Sequence, residues 1–324
     1  MLPPFGFEAV FTQWQSAPLV TGGVIIAAGL YLWGVIRVAR RHPARPWPAW
    51  RTGMFVGGLA VIVLALQSGI GSYDDVLFWD HMVQHLMLVM VAPPLLIFGQ
   101  PITLLMHASR NPLHTWVKRA VRSRIASFLT WPIFGFGAYA AAIIVAHLTG
   151  LANLTARNQT AHEAEHFVFL IVGYLFFLPI IGSEPIRWRL SYPVKMVLLF
   201  LVMPVDTFTG LILSGANSSA PGLPIGPRPA WAGTALGDVH AGGAVMWVGG
   251  DGIMFALMMV VFLMWSTDTR TVARSRGWLE AARRSAVAPA VAATTADIDD
   301  NDEQLVAYNA YLNRLNTPRP GSGA

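Results

Sequence analysis

Residues 79–100 read WDHMVQHLMLVMVAPPLLIFGQ, an apolar run of membrane length that opens on His81 and His85. On a helix, positions i and i+4 share one face with Cβ atoms about 5–6 Å apart, so both imidazoles point the same way. Asp80 and Gln84 stand beside them. Residues 161–182, AHEAEHFVFLIVGYLFFLPIIG, repeat the pattern, with His162 and His166 opening a second apolar run. Two His-x-x-x-His pairs at the mouths of two membrane segments are what the rest of the chain is organised around.

Composition sets the surroundings of these pairs. Of 324 residues, 54% are hydrophobic and 12% charged, where a soluble domain carries about 25% charged residues. With a mean hydropathy of +0.51, the chain reads as an all-α polytopic membrane protein rather than a water-soluble globule. The net charge of +5 therefore points to loop asymmetry and not to nucleic acid. Cysteine is absent, which excludes disulfides and thiolate metal sites and leaves imidazole, carboxylate and thioether as donors. The N-terminal stretch MLPPFGFEAVFTQWQSAP lacks the basic region of a secretory signal, so the first apolar run is expected to remain in the mature protein.

Seven apolar runs suit spanning helices, near 18–38, 52–72, 77–99, 127–149, 164–182, 193–214 and 240–265. They show no period-two alternation and are too long for barrel strands. Arg and Lys collect in alternate connections: Arg37 to Arg51 after the first run, Arg110 to Arg124 after the third, Arg187 to Lys195 after the fifth, and Arg270 to Arg284 after the seventh. The other connections carry only Arg157 and Arg228. The positive-inside rule then predicts the N-terminus outside and the C-terminus in the cytoplasm. Residues 1–17 are expected as an extracytoplasmic segment, 18–265 as the seven-helix domain and 266–324 as a partly disordered cytoplasmic tail. In this topology His81, His85, His147, His162, His166 and His240 share the outer side, while His42, His107 and His114 fall in basic inner loops. The Gly- and Pro-rich stretch 215–239 reads as an irregular lid over the outer site.

Neutral imidazole binds zinc, copper, iron and nickel, and affinity among divalent ions peaks at copper. A lone membrane histidine is more often an interfacial or packing residue, but two chelating pairs at matched depth point to metal or haem. Asp80, Glu163 and Glu165 are placed to offset the positive helix N-termini or to orient the rings. Asp206 and Asp251 are mid-membrane carboxylates, each costly to insert unless paired or functional; Asp206 is the stronger candidate ligand. Met82, Met203 and Met246 are secondary candidates for soft copper, although methionine commonly fills irregular apolar gaps. No P-loop and no Ser-His-Asp spacing occurs, and no enzymatic activity is expected. A haem held between helices 3 and 5, or metal transport continuing inward through Asp206 and Asp251, are the alternatives.

The run DHMVQHLMLVMVAPPLLIFGQP, the run HEAEHFVFLIVGYLFFLPIIG, the segment SEPIRWRLSYPVKMVLLFLVMPVDTFTG and the run GGAVMWVGGDGIMF together resemble the CtaG-like family. These are bacterial membrane proteins described as assembly factors for caa-type cytochrome c oxidase, and the resemblance spans roughly residues 50–285. It implies a plasma-membrane protein that handles copper on the outer side, with oxidase subunits or other assembly proteins as partners; on the donor residues alone, haem and zinc stay open as alternatives. His81, His85, His162 and His166 match the family's histidines. His147 sits where the family often has a His followed two residues later by Pro, here Thr149, and His240 where many relatives have Gln.

Overall fold

The computed structural model describes residues 2–149, 151–155, 157–217 and 228–268, with 306, 309–310 and 312–313 in the tail. Among them every regular element is helical. The expected basic stretch 270–284, most of the tail expected to be partly disordered, and the loop centre, 218–227, lie outside the described residues. The chain forms two compact units, Met1–Val261 and Phe262–Ala324. The second holds the last turn of the final apolar helix and helical positions at 306, 309–310 and 312–313.

Seven apolar helices organise the first unit: α1 (Pro18–Arg41), α2 (Ala49–Tyr73), α3 (Phe78–Ala108), α4 (Pro132–Leu148), α5 (Gln159–Ile181), α6 (Tyr192–Ser214) and α7 (Ala235–Thr267). Proline near the start of α1, α4 and α6 suits the first helical turn, where its missing N–H is not needed. Six of the seven are long and apolar enough to cross a membrane. The exception is α4. The run expected from 127 is broken at Thr130 and Trp131, which separate a short helix, Arg124–Leu129, from Pro132. The 17 residues that remain rise about 26 Å, slightly less than a hydrocarbon core of about 30 Å.

Three other boundaries differ from expectation. α3 runs on to Ala108 past a break at Gln100, whose φ of 50° is left-handed. α5 begins at Gln159, capped by the Asn158 side chain, so both of its histidines lie inside the helix. α7 begins at Ala235 behind the Thr234 cap, because the helical register extends back through Asp238. Residues 235–239 are therefore helix rather than lid.

Large apolar side chains face outward along these helices. Leu19 is 84% exposed, and Ile25, Leu30, Phe200 and Phe208 are exposed too, as expected of a surface solvated by lipid tails. Inside, α2 packs on Ala92–Phe98 of α3, α5 packs on α4 and on α3, and α6 packs on α7. Where α5 meets α3, a Cβ on Gly173 would collide with the Val89 carbonyl and lie 3.0 Å from Pro93 Cγ. Only glycine lets the two backbones come this close. Gly210 of α6 and Gly243 of α7 meet in the same way, each placing its notional Cβ within 2.7 Å of the other's carbonyl oxygen.

Two helix starts are capped from a distance. Asp238 of α7 accepts from the Phe78 and Trp79 amides at 2.8 and 3.1 Å, and Arg228 donates to it at 2.7 Å. Glu184, after α5, accepts from the Ile102 and Thr103 amides at 3.0 and 2.8 Å. Each carboxylate meets orphan donors at a positive helix end, and each ties together segments distant in sequence. Burial pushes the Glu184 carboxyl above its ordinary range, against the donations from Thr103 and Ile102. The N-terminal segment packs over the start of α3: Phe5 stands edge-on to Tyr73 and Trp79, and the Tyr73 hydroxyl donates to the Pro3 carbonyl at 2.9 Å.

Candidate metal centre

Two π-turns, Met87–Val91 in α3 and Val245–Gly249 in α7, lie just beyond the histidine end of the bundle. Such turns insert one residue into a helix and are frequent at functional sites. On α3 the preceding segment, Phe78–Leu86, presents His81 and His85 on one face, their ring centroids 4.1 Å apart. On α5, His162 and His166 lie 4.3 Å apart. Val89 meets Gly173 further along the same two helices, so α3 and α5 run parallel and bring their opening turns together. The pairs face each other: His81 Nδ1 is 3.3 Å from His162 Nε2, and His85 is 5.9 Å from His166 between ring centroids.

The last turn of α4 adds His147. Its Nδ1 lies 2.8 Å from the Ile143 carbonyl, and its Nε2 lies 3.3 Å from His85 Nδ1. A carbonyl only accepts, so in a neutral ring the His147 proton sits on Nδ1 and Nε2 is bare. His85 must then donate from Nδ1, which leaves its Nε2 as an open lone pair. That nitrogen is buried with no hydrogen-bond partner and faces Glu165 Oε2 at 3.9 Å. Phe169 stacks on the same ring at 4.2 Å and holds its plane.

Among the described residues two donor sets result, each with ligand atoms within 4.8 Å of one another: Asp74, His81, His162 and His166 in one, and His81, His85 and Glu165 in the other. His166 Nε2 and Glu165 Oε2 are, like His85 Nε2, buried and unpartnered. Leaving such a group unpaired costs about 1–3 kcal/mol each; a cation held by the first set would satisfy His166, and one held by the second would satisfy His85 and Glu165. The donors are nitrogen and oxygen, a set that suits a divalent first-row ion. Haem fits less well, because it needs a wide flat slot between its axial nitrogens, and here facing imidazoles approach to 3.3 Å.

Asp74 was not singled out by sequence. It lies between α2 and α3, 3.8 Å from His162 Nε2, and accepts from Gln84 Nε2 at 3.0 Å. Burial and the neighbouring Asp75 push its carboxyl up to about 7, with the Gln84 donation opposing them. The acidic doublet Asp74–Asp75 just ahead of the His81 helix was the available signal.

Other expected residues fall elsewhere. His147 stands behind His85 and belongs to neither donor set, because its ring nitrogens serve Ile143 and His85. His240 is in the second turn of α7 and its Nε2 bonds the Ala216 carbonyl at 2.9 Å, away from both sets. Asp206 lies deeper, fully buried, with the Tyr139 hydroxyl at 3.2 Å. Asp251 accepts from Thr207 at 2.6 Å. Asp80 does not orient a histidine; both of its oxygens are buried without a hydrogen-bond partner, and it joins neither set. Met82 packs toward Gly242 of α7, whose notional Cβ would lie 3.2 Å from Met82 Cγ. Met246 is a core residue and Met203 packs against that core. All three methionines fill apolar space.

Residues 29–268 match the family described as Cytochrome c oxidase caa3 assembly factor. The chain belongs to that family. It is also 30% identical over 325 residues to uncharacterized proteins of Mycobacterium bovis and Mycobacterium tuberculosis, and 28% identical over 323 residues to one of Mycobacterium leprae. These alignments take in 95–96% of this chain and 45% of each relative, so the chain spans about half the length of the curated relatives it matches. No solved structure matches it. The family match covers α2 to α7 entirely and thus every residue of both donor sets.

Proposed function

We propose that this assembly-factor family member holds copper in the imidazole–carboxylate cage and passes it to a cytochrome c oxidase subunit during assembly. The observation that carries the reading is the pair of His–carboxylate donor sets that meet at His81, with His85 Nε2, His166 Nε2 and Glu165 Oε2 buried and unpartnered among their members. Copper is favoured over zinc because affinity for nitrogen and oxygen donors peaks at copper. The role is cargo binding rather than catalysis. In the same reading all seven apolar helices span the bacterial plasma membrane, N-terminus outside, and the cage opens to the extracytoplasmic side. The alternating basic connections support that orientation.

The test is metal analysis with an absorption spectrum on protein purified from its own membrane, beside a His81→Ala/His166→Ala variant. Copper bound to the wild type and lost from the double variant supports the reading, as does a drop in copper-loaded oxidase in cells carrying the variant. A Soret band would replace copper handling with haem chemistry. Equal copper in both proteins would remove the cage from the function.

A further inference from the structure

We infer that the cage is not one site but two adjacent copper positions that share the His81 ring. The inference rests on the proposed metal-binding role and goes beyond it in stoichiometry and arrangement. His81 alone belongs to both donor sets. In the first set its Nδ1 faces His162 Nε2 at 3.3 Å, and Asp74 Oδ2 lies 3.8 Å from that same His162 nitrogen. In the inferred arrangement the ring's other nitrogen, Nε2, serves the second set. There the free atoms are His85 Nε2, whose other nitrogen is occupied by His147, and Glu165 Oε2 at 3.9 Å. His85 is one turn further along α3 than His81, so the second position lies deeper in the bundle.

The donors fall into two groups rather than one, each with ligand atoms within 4.8 Å of one another, so an ion centred in either group leaves donors of the other unused. The two nitrogens of an imidazole point away from each other, so one ring can serve both groups only by giving each a different nitrogen. Two ions can use both groups, one on each nitrogen, and the second to bind displaces the remaining N–H proton of the ring to solvent, as metal binding to a protonated ligand requires. Each position also has its own carboxylate, Asp74 for the first and Glu165 for the second.

The experiment is anaerobic loading of the purified full chain with Cu(II), removal of loose metal, and parallel copper analysis and electron paramagnetic resonance. Wild type is expected to hold about two coppers per chain, with signal intensity well below the copper content because ions sharing one imidazole couple their spins. Glu165→Gln and Asp74→Asn, each conservative in shape, should each hold half as much copper and regain full signal per copper. One copper in wild type, weakened alike by both substitutions, would overturn the two-position arrangement and leave the proposed function standing. No retained copper in wild type would overturn both.

Discussion

His147 stands directly behind His85, its Nε2 3.3 Å from His85 Nδ1 and its own Nδ1 2.8 Å from the Ile143 carbonyl. The carbonyl at the end of this chain dictates the proton position on both rings and turns His85 Nε2 into a lone pair aimed at Glu165. His147→Ala is expected to raise the dissociation constant for copper about 10–100-fold, the usual cost of losing an outer partner of a ligating histidine. Copper bound at saturation should stay the same. Competition titration against a chelator reads both quantities, and a loss of copper at saturation would make His147 a ligand instead.

Asp74 yields a pH dependence. Its ordinary value of 3.8 is pushed up to about 7 in the folded protein, so between these values the folded chain holds a proton that the unfolded chain has lost. Without metal, this group's contribution to stability therefore falls as pH rises from 3.8 to about 7 and is flat above. Under the proposed copper-holding role the metal would need the ionised carboxylate, so affinity should weaken as pH drops below about 7, with proton release on binding. Calorimetry in two buffers of different ionisation enthalpy measures that release. An Asp74→Asn profile as steep as wild type would show that the dependence lies elsewhere.

Tyr139 and Asp206 are both fully buried and meet through hydrogen bonds of 3.2 and 3.4 Å. Tyr139→Phe is expected to destabilise the protein by about 1–3 kcal/mol, because the carboxyl loses its hydroxyl partner in a dry setting. Thermal unfolding in detergent reads the loss. Copper content should not move, since neither residue belongs to a donor set.

Gly173 holds α5 against α3. Gly173→Val must push the Val89 carbonyl away, at about 1–3 kcal/mol for overpacking, and the shift separates the two histidine pairs. Weaker copper binding together with a lower unfolding temperature is the expected outcome. A variant as stable as wild type that binds copper equally well would show that this contact does not set the spacing of the pairs.

Much of this was legible in the sequence because it is local. Hydropathy over about 20 residues marks a membrane helix whatever surrounds it, and spacing of four puts His81 with His85 and His162 with His166 on shared faces without reference to any other segment. The break that shortens α4 was less visible, since the run from 127 to 149 is apolar throughout and only Trp131–Pro132 interrupts its geometry. Asp238 and Glu184 could not be read as caps, because each serves a helix more than 80 residues away, as the separations of 160 and 82 residues show.

The sequence by itself therefore determined the membrane class, the chelating pairs and the absence of thiolate ligands, all consequences of composition and helical period. Only the tertiary structure decided which donors share a cage. Depth along the chain placed His147, His240 and Asp206 with the pairs, but membership depends on which faces the helices turn to one another. Contacts such as Gly173 against Val89 set those faces. They brought in Asp74 and Glu165, turned His147 to the back of His85, and left His240 on the Ala216 carbonyl. Hydrogen-bond and ligand distances are fixed by packing between segments, and no local pattern carries them.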